Sequence, residues 1–336
     1  MNRIARLVQI CFLFGLLTGA SQPAAAEPLT IRMSWVITPG ELAPILFAHP
    51  GLARHEGISY HVEPIHFSGG PLSIPAIAKG EIDIGGLGYA TIAAAIQGAG
   101  IDDLSVIGDV QQDGVPGWYS IEYMVLKDGP IHEIADLLGK TLGVNAVGSM
   151  VDLGQRQMLR QRSIDDRKDL TIIEVASPNM KASLAAHKVD MVGVVAAIGA
   201  DPELRAIARP LFRATDALGI TQVSALVARA SFLKEHRAAV VDLLEDTIRI
   251  TRWYLDPANH DEAVKIVADF NKQPVARAAW AFTGQDQYRS PDVEPNIDAL
   301  QRNLDVLWKL GFLKARIDIG KHTDLSLVHE AAARIR

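Results

Sequence analysis

The feature that most constrains the fold is a rhythm: short strand-like runs, each closed by a turn and followed by a helix-like stretch, recur in two series along the chain. "LTIRMSW", "ISYHVEPIHF" and "IDIGGLG" read as strands of the first series. "APILFAHPGLARHEG", "LSIPAIAKG" and "TIAAAIQGAG" read as the helices that follow them. "LSVIGDV" and "YSIEYMVLK" add two more strands. The second series runs "IHEIADLLG" (helix), "KTLGVNA" (strand), "SMVDLGQRQMLRQRS" (helix), "LTIIEVA" (strand), "MKASLAAHK" (helix) and "VDMVGVV" (strand), with "TQVSALVAR" as a last strand. Strand and helix alternating at this spacing favour parallel βαβ units over an antiparallel sandwich. Beyond residue 229, apolar positions fall at three- and four-residue steps in "RAAVVDLLEDTIRITRWYL" and "IDALQRNLDVLWKLGFL", so the remainder is helical. The expectation is an α/β chain of two lobes. Residues 27–123 and 226–336 would form lobe one and residues 124–225 lobe two, with hinge crossovers at 120–125 and 222–227.

The first 26 residues predict export. Arg3 and Arg6 precede an apolar run over residues 7–17, too short to span a bilayer, and Ala24 and Ala26 form a small-x-small cleavage pattern before Glu27. The only cysteine, Cys11, lies in this leader behind Gln9 and Ile10, which do not suit a lipid-attachment site. No thiol, disulfide or thiolate metal site is therefore expected after cleavage. The 33 basic and 39 acidic residues, less the two leader arginines, leave the exported chain at −8. A surface that is acidic and poor in aromatics argues against nucleic acid and anionic lipid as partners. The chain is expected to be periplasmic, not lipid-anchored, and monomeric.

Ligands of open α/β sheets sit beyond the carboxyl ends of the strands. With two lobes, both sets of strand-end loops can face one cleft. The glycine turn before "YATIAAAIQ" lets backbone N–H groups come close to such a ligand. The candidate loops supply Trp35, then Phe67, Ser68, Gly69 and Gly70, then Gly88, Tyr89 and Ala90. From the second series come Asn145, Gly148, Ser149, Met150 and Asn179, while Trp118 and Tyr119 lie near the junction. Aromatic walls with a few polar groups are what small-molecule sites use. Apart from Lys181 just beyond one of them, these loops carry no lysine or arginine, so an anionic ligand would depend on helix-start N–H groups.

No catalytic constellation emerges. Gly86–Leu87–Gly88 departs from the dinucleotide fingerprint at Thr91, and "HEGISYH" and "HEIAD" lack the second histidine of a zinc-protease helix. Gly148–Ser149 lacks the glycine that follows the serine of a hydrolase elbow. Neither a cofactor nor a metal site is expected.

Several stretches resemble the aliphatic sulfonate, taurine and nitrate-type periplasmic substrate-binding proteins of ABC importers. "AIAKGEIDIGGLGYATIAAAIQGAG" is similar to their G-x-I-D-x-G strand, glycine turn, helix and A-x-G end. "GPIHEIADLLGKTLGVNAVGSM" resembles their SPI-x-x-x-ADLKGKKVA-x-x-x-GS stretch. The L-x-x-H-K-V-D step and the late "NIDALQRNLDVLWKLGFLKARIDI" helix also match. The resemblance spans the mature chain. It implies a type II periplasmic-binding-protein fold: two hinged lobes closing on one small molecule, for delivery to a permease and, through it, an ATPase. Carried over by position, Ser68–Gly69–Gly70, Gly88–Tyr89–Ala90 and Gly148–Ser149 would face the ligand, with Tyr89 and Ser149 opposite one another. Two departures, "AAIGADP" where relatives often have a W-x-P segment and Tyr89 in place of a polar or charged residue, tilt the pocket from sulfonate or nitrate towards a less charged or aromatic molecule. An exported ligand-sensing subunit is an alternative role. The thiamine-pyrimidine synthase family shares the fold, but its cysteine-rich signature is missing here.

Overall fold

The structure is a computed structural model that describes residues 27–335. The leader expected over residues 1–26 lies outside them. Among the described residues, ten strands build two mixed five-stranded sheets. The first contains β1 (Leu29–Trp35), β2 (Tyr60–His66), β3 (Ile84–Gly88), β4 (Leu104–Asp113) and β10 (Thr221–Arg229), in the order β2-β1-β3-β10-β4. The second contains β5 (Glu122–Leu126), β6 (Thr141–Val144), β7 (Thr171–Glu174), β8 (Met191–Val194) and β9 (Ala208–Arg213), in the order β7-β6-β8-β5-β9. The second sheet is thus inserted between β4 and β10 of the first, giving two lobes joined by two chain passages.

The parallel expectation holds where strand follows helix, as in β1 with β2 and β3, and β6 with β7 and β8. It fails at the passages. β10 runs antiparallel to β3 and β4, and β5 antiparallel to β8 and β9, because each enters its sheet from the other lobe. β10 is buried over eight of its nine residues. It lies between two strands, with helices over both faces of the sheet, and such strands need apolar or small side chains on both sides. On one face Val240, Val241, Leu244 and Ile248 of helix Arg237–Leu255 join Ile31, Ile84 and Leu226 in a core. On the other, Leu300, Leu304 and Leu307 of helix Ile297–Lys309 join Leu87, Ile92 and Ala225.

The lobe boundaries expected from sequence need correction. Glu122 and Tyr123 already pair in the second sheet, and β10 pairs along its whole length in the first. The passages are therefore residues 114–121 and 214–220, not 120–125 and 222–227. They touch each other. Gly114 has φ +76°, and a Cβ there would sit 2.6 Å from Thr215 Oγ1. Asp113, fully buried at the end of β4, accepts from Ser120 Oγ (2.7 Å), the Ile121 N–H (2.9 Å) and Gln287 Nε2 (3.1 Å). Ser120 Oγ in turn accepts the Thr215 N–H at 3.1 Å.

Two helices expected from sequence shrink. "APILFAHPGLARHEG" keeps only the 3-10 turn Ala43–Ile45, because Pro50 follows shortly and Gly51 adopts φ +83°. "IHEIADLLG" is reduced to Ile134–Leu137, opened by reciprocal capping between Glu133 and Asp136.

Candidate functional site

The carboxyl ends of β1, β2 and β3 carry the first-lobe loops. Trp35 ends β1 half-buried, its ring 4.5 Å from His66 and 5.5 Å from Phe270. Phe67 is tied to it by the Phe67 N–H to Trp35 O bond (2.9 Å) and packs on the core beneath helix Ile297–Lys309. Ser68 is exposed, and Gly69 and Gly70 are half-buried. Gly70 is needed for close approach: a Cβ there would meet Thr91 Oγ1 at 3.0 Å, so this loop rests on helix Tyr89–Ala93. Gly88 precedes that helix without a side-chain cap, leaving its first N–H groups to other partners.

Tyr89 departs from expectation. Its ring is 2% exposed, within an apolar cluster that also holds Ile92 and, from the second lobe, Leu153. Its hydroxyl makes no hydrogen bond to any described residue. Burial first, and the charges of Asp113 and Asp152 after it, push the phenol well above its usual range, so it stays neutral and remains a donor. Trp118 and Tyr119 belong to the first passage. The Trp118 ring stands edge-on to Tyr288 at 5.6 Å, and the buried Tyr119 donates to Val194 O at 2.9 Å. They tie the first passage to Tyr288 and to the end of β8.

The second-lobe candidates gather at the start of helix Met150–Gln161. Ser149 is its N-cap, accepting the Asp152 N–H at 3.3 Å and donating to Asn145 Oδ1 at 2.8 Å. Gly148, at φ +78°, donates its N–H to Asp152 Oδ2 at 2.8 Å. Asp152 is fully buried and also receives both contacts of Arg156 Nε at 2.9 Å. An internal carboxylate therefore already occupies part of the positive end of this helix. Met150 packs against the cores of both lobes, while Asn145 and Asn179 are exposed.

Between the lobes runs a groove of about 310 Å³. It is lined by Ala90, Ala93, Ala94, Gln97 and Gly98, by Leu307 with residues 312–314, and by Gly148 of the second lobe. Of the residues expected from sequence, the groove brings together Ala90 and Gly148. Sequence reading missed Phe312. Its ring lies 3.6 Å from where a Gly148 Cβ would stand, and the Arg156 guanidinium sits 5.9 Å from the ring centroid. The available signal was Gly311, whose φ of +81° ends helix Ile297–Lys309 and turns Phe312 towards the other lobe. Lys314 is the one charged residue among those lining the groove.

A family model described as NMT1-like matches residues 24–268. The chain belongs to the NMT1-like family. No curated protein matches it by sequence. Among solved structures, this NMT1-like chain is similar to the periplasmic aliphatic sulphonate binding protein SsuA from Escherichia coli, with TM-score 0.71 and 18% identity over 88% of this chain and 92% of that one. The periplasmic nitrate-binding protein NrtA from Synechocystis matches with TM-score 0.67 and 15% identity, over 92% and 90%. A mutant of DSZB in complex with biphenyl-2-sulfinic acid matches with TM-score 0.67 and 13% identity, over 91% and 99%. These likenesses establish the two-lobed fold. Among the described residues no helix is long and apolar enough to cross a membrane.

Proposed function

We propose that this NMT1-like protein is an exported, periplasmic solute-binding protein that captures a small organic molecule between its lobes and presents it to the permease of an ABC importer. The observation that carries this reading is the groove where helix residues of the first lobe meet Gly148 of the second, large enough for a small ligand. The passages at 114–121 and 214–220 act as its hinge. The ligand is weakly charged or neutral. The groove lining is mostly alanines, leucines, Phe312, Gln97 and glycines, with Lys314 its one charged residue and no arginine, and Asp152 already engages the Gly148 N–H. Ala90 and the Gly88 turn supply backbone N–H groups, while the neutral Tyr89 phenol lies buried behind them.

The sharing of this fold with DSZB raises an enzyme as the competing role. The groove lining here contains no acid, histidine or cysteine, which favours binding over catalysis. A thermal-shift screen across sulfonates, aromatic acids, pyrimidines and amines tests the proposal, because a ligand bound only by the folded state raises the unfolding midpoint. The expected hit is an uncharged or aromatic compound recovered unchanged after incubation. Conversion of the hit to a product would overturn the binding-protein reading.

A further inference from the structure

A second cavity, of about 40 Å³, lies wholly within lobe one, beneath the loop that follows β1. That loop is pinned from below. Glu41 Oε2 accepts the Val36 N–H, the Glu41 N–H donates to Ile37 O at 2.8 Å, and Arg289 Nη2 donates to Pro39 O at 2.6 Å. Gly86 leaves room for the Glu41 carboxylate: a Cβ there would stand 3.1 Å from Oε1. Three charged side chains line the cavity: Glu41, Asp109 and Arg289.

Their charges do not balance. Arg289, 2% exposed, gives its Nη1 to Asp286 at 2.7 Å, so its charge is already matched. Asp109 accepts from Gln222 Nε2 at 2.6 Å and the Ser290 N–H at 2.7 Å, all neutral donors. Glu41 has only backbone donors. Two buried carboxylates thus share a cavity with one guanidinium, which is hydrogen-bonded to a third carboxylate, Asp286, and Glu41 has no cation beside it. Burial drives Glu41, which has no cation beside it, up to about 7, and drives Asp109 up to about 6 although the Arg289 charge and its hydrogen bonds pull the other way.

Two hydroxyls in the cavity are unused, and one carboxylate has only backbone donors. Ser34 and Thr251 are each 4% exposed and line it, and neither hydroxyl has a hydrogen-bond partner among the described residues. The Glu41 carboxylate accepts only from the Val36 and Ile37 N–H groups and has no side-chain donor. One carboxylate oxygen and two hydroxyls match the three N–H bonds of a primary ammonium group. The rest of the lining, including Met33, Leu46 and Val110, is apolar and suits a short alkyl stem. Arg289 Nε is buried without an acceptor, which makes an anion the competing occupant. Two carboxylates against one guanidinium that is already paired favour the cation.

We propose that this lobe-one cavity binds a small ammonium cation, methylammonium or ammonium itself, between Glu41, Asp109, Ser34 and Thr251. The inference stands apart from the inter-lobe reading, because no residue of the groove lines this cavity. Its test follows the thermal midpoint of the purified protein at pH 7.5 in ammonium, methylammonium, sodium, potassium and choline chlorides at equal ionic strength. Ammonium and methylammonium should each give a saturable rise of a few degrees, absent with choline. Calorimetric titration in two buffers of different ionisation enthalpy should show a fraction of a proton released, because the cation displaces the proton held at Glu41. Both signals should vanish in Glu41→Gln, and Thr251→Val should weaken the midpoint response several-fold if Glu41→Gln does not fold. An equal response to every chloride salt, to sodium or potassium as strongly as ammonium, or a response retained in the variants would overturn the proposal.

Discussion

Tyr89 lets its ring and its hydroxyl be tested separately. The ring is 2% exposed, in a cluster that includes Ile92, Leu153 and Leu304, so Tyr89→Ala deletes a core side chain. Aromatic-to-alanine changes in such sites cost about 3–5 kcal/mol. With a urea m-value of about 3 kcal/mol/M, the unfolding midpoint should fall by roughly 1–1.7 M. The hydroxyl bonds to no described residue, so Tyr89→Phe should leave the midpoint within about 0.3 M of wild type. If the ligand accepts a hydrogen bond from this phenol, Tyr89→Phe should instead weaken binding by about 0.5–1.5 kcal/mol, or roughly 2- to 13-fold in Kd. Urea denaturation followed by circular dichroism reads the first effect, and calorimetric titration with the screened ligand reads the second. Wild-type affinity in a folded Tyr89→Phe would remove the hydroxyl from the site. A wild-type midpoint in Tyr89→Ala would refute the packing argument itself.

Stability should depend on pH through Glu41. Its carboxyl is raised from 4.5 to about 7, so the folded state holds the proton more tightly than the unfolded state, and stability falls as pH rises through that window. Glu41→Gln should lessen the loss between pH 5 and pH 8 by on the order of 3 kcal/mol, read from urea midpoints at both values. Gly154→Ala places a Cβ 2.2 Å from Tyr123 Oη, which itself donates to Val151 O at 2.7 Å. Despite the gain in helix propensity, this overpacking should destabilise by about 1–3 kcal/mol in the same assay. Phe312→Ala removes a ring that is 38% exposed, so stability should change by only about 1 kcal/mol, while ligand affinity should drop by about tenfold in calorimetry.

Strands were legible wherever one face or both were buried by local pattern. "LTIRMSW" matches β1 residue for residue, and "TQVSALVAR" matches β10. β9, "ARPLFR", escaped notice because it is an edge strand, where Pro210 and flanking arginines are tolerated and no apolar run is required. The lobe boundaries slipped by a few residues because strand pattern says nothing about which sheet a strand enters. In the candidate site, the glycine turn at Gly148 and the capping Ser149 could be read locally, since both serve the start of one helix. Phe312 could not. It meets Gly148 only because the late helix Ile297–Lys309 folds back over the first sheet, bringing together parts of the chain far apart in sequence. Tyr89 follows its glycine turn as the sequence implies, but its ring turns inward to a cluster completed by Leu153 of the other lobe.

Closure of the two lobes on a small molecule is the central claim, and an inter-lobe distance measures it directly. The sequence contains one cysteine, Cys11, in the expected leader, so a labelled pair at Ser68→Cys and Asn179→Cys would report on one exposed site from each lobe without competing thiols. Single-molecule energy transfer between these labels should show a population that moves to shorter distance as the screened ligand saturates. It should return when the ligand is dialysed away, with unchanged ligand recovered. A distance distribution that stays the same at saturating ligand would contradict the account.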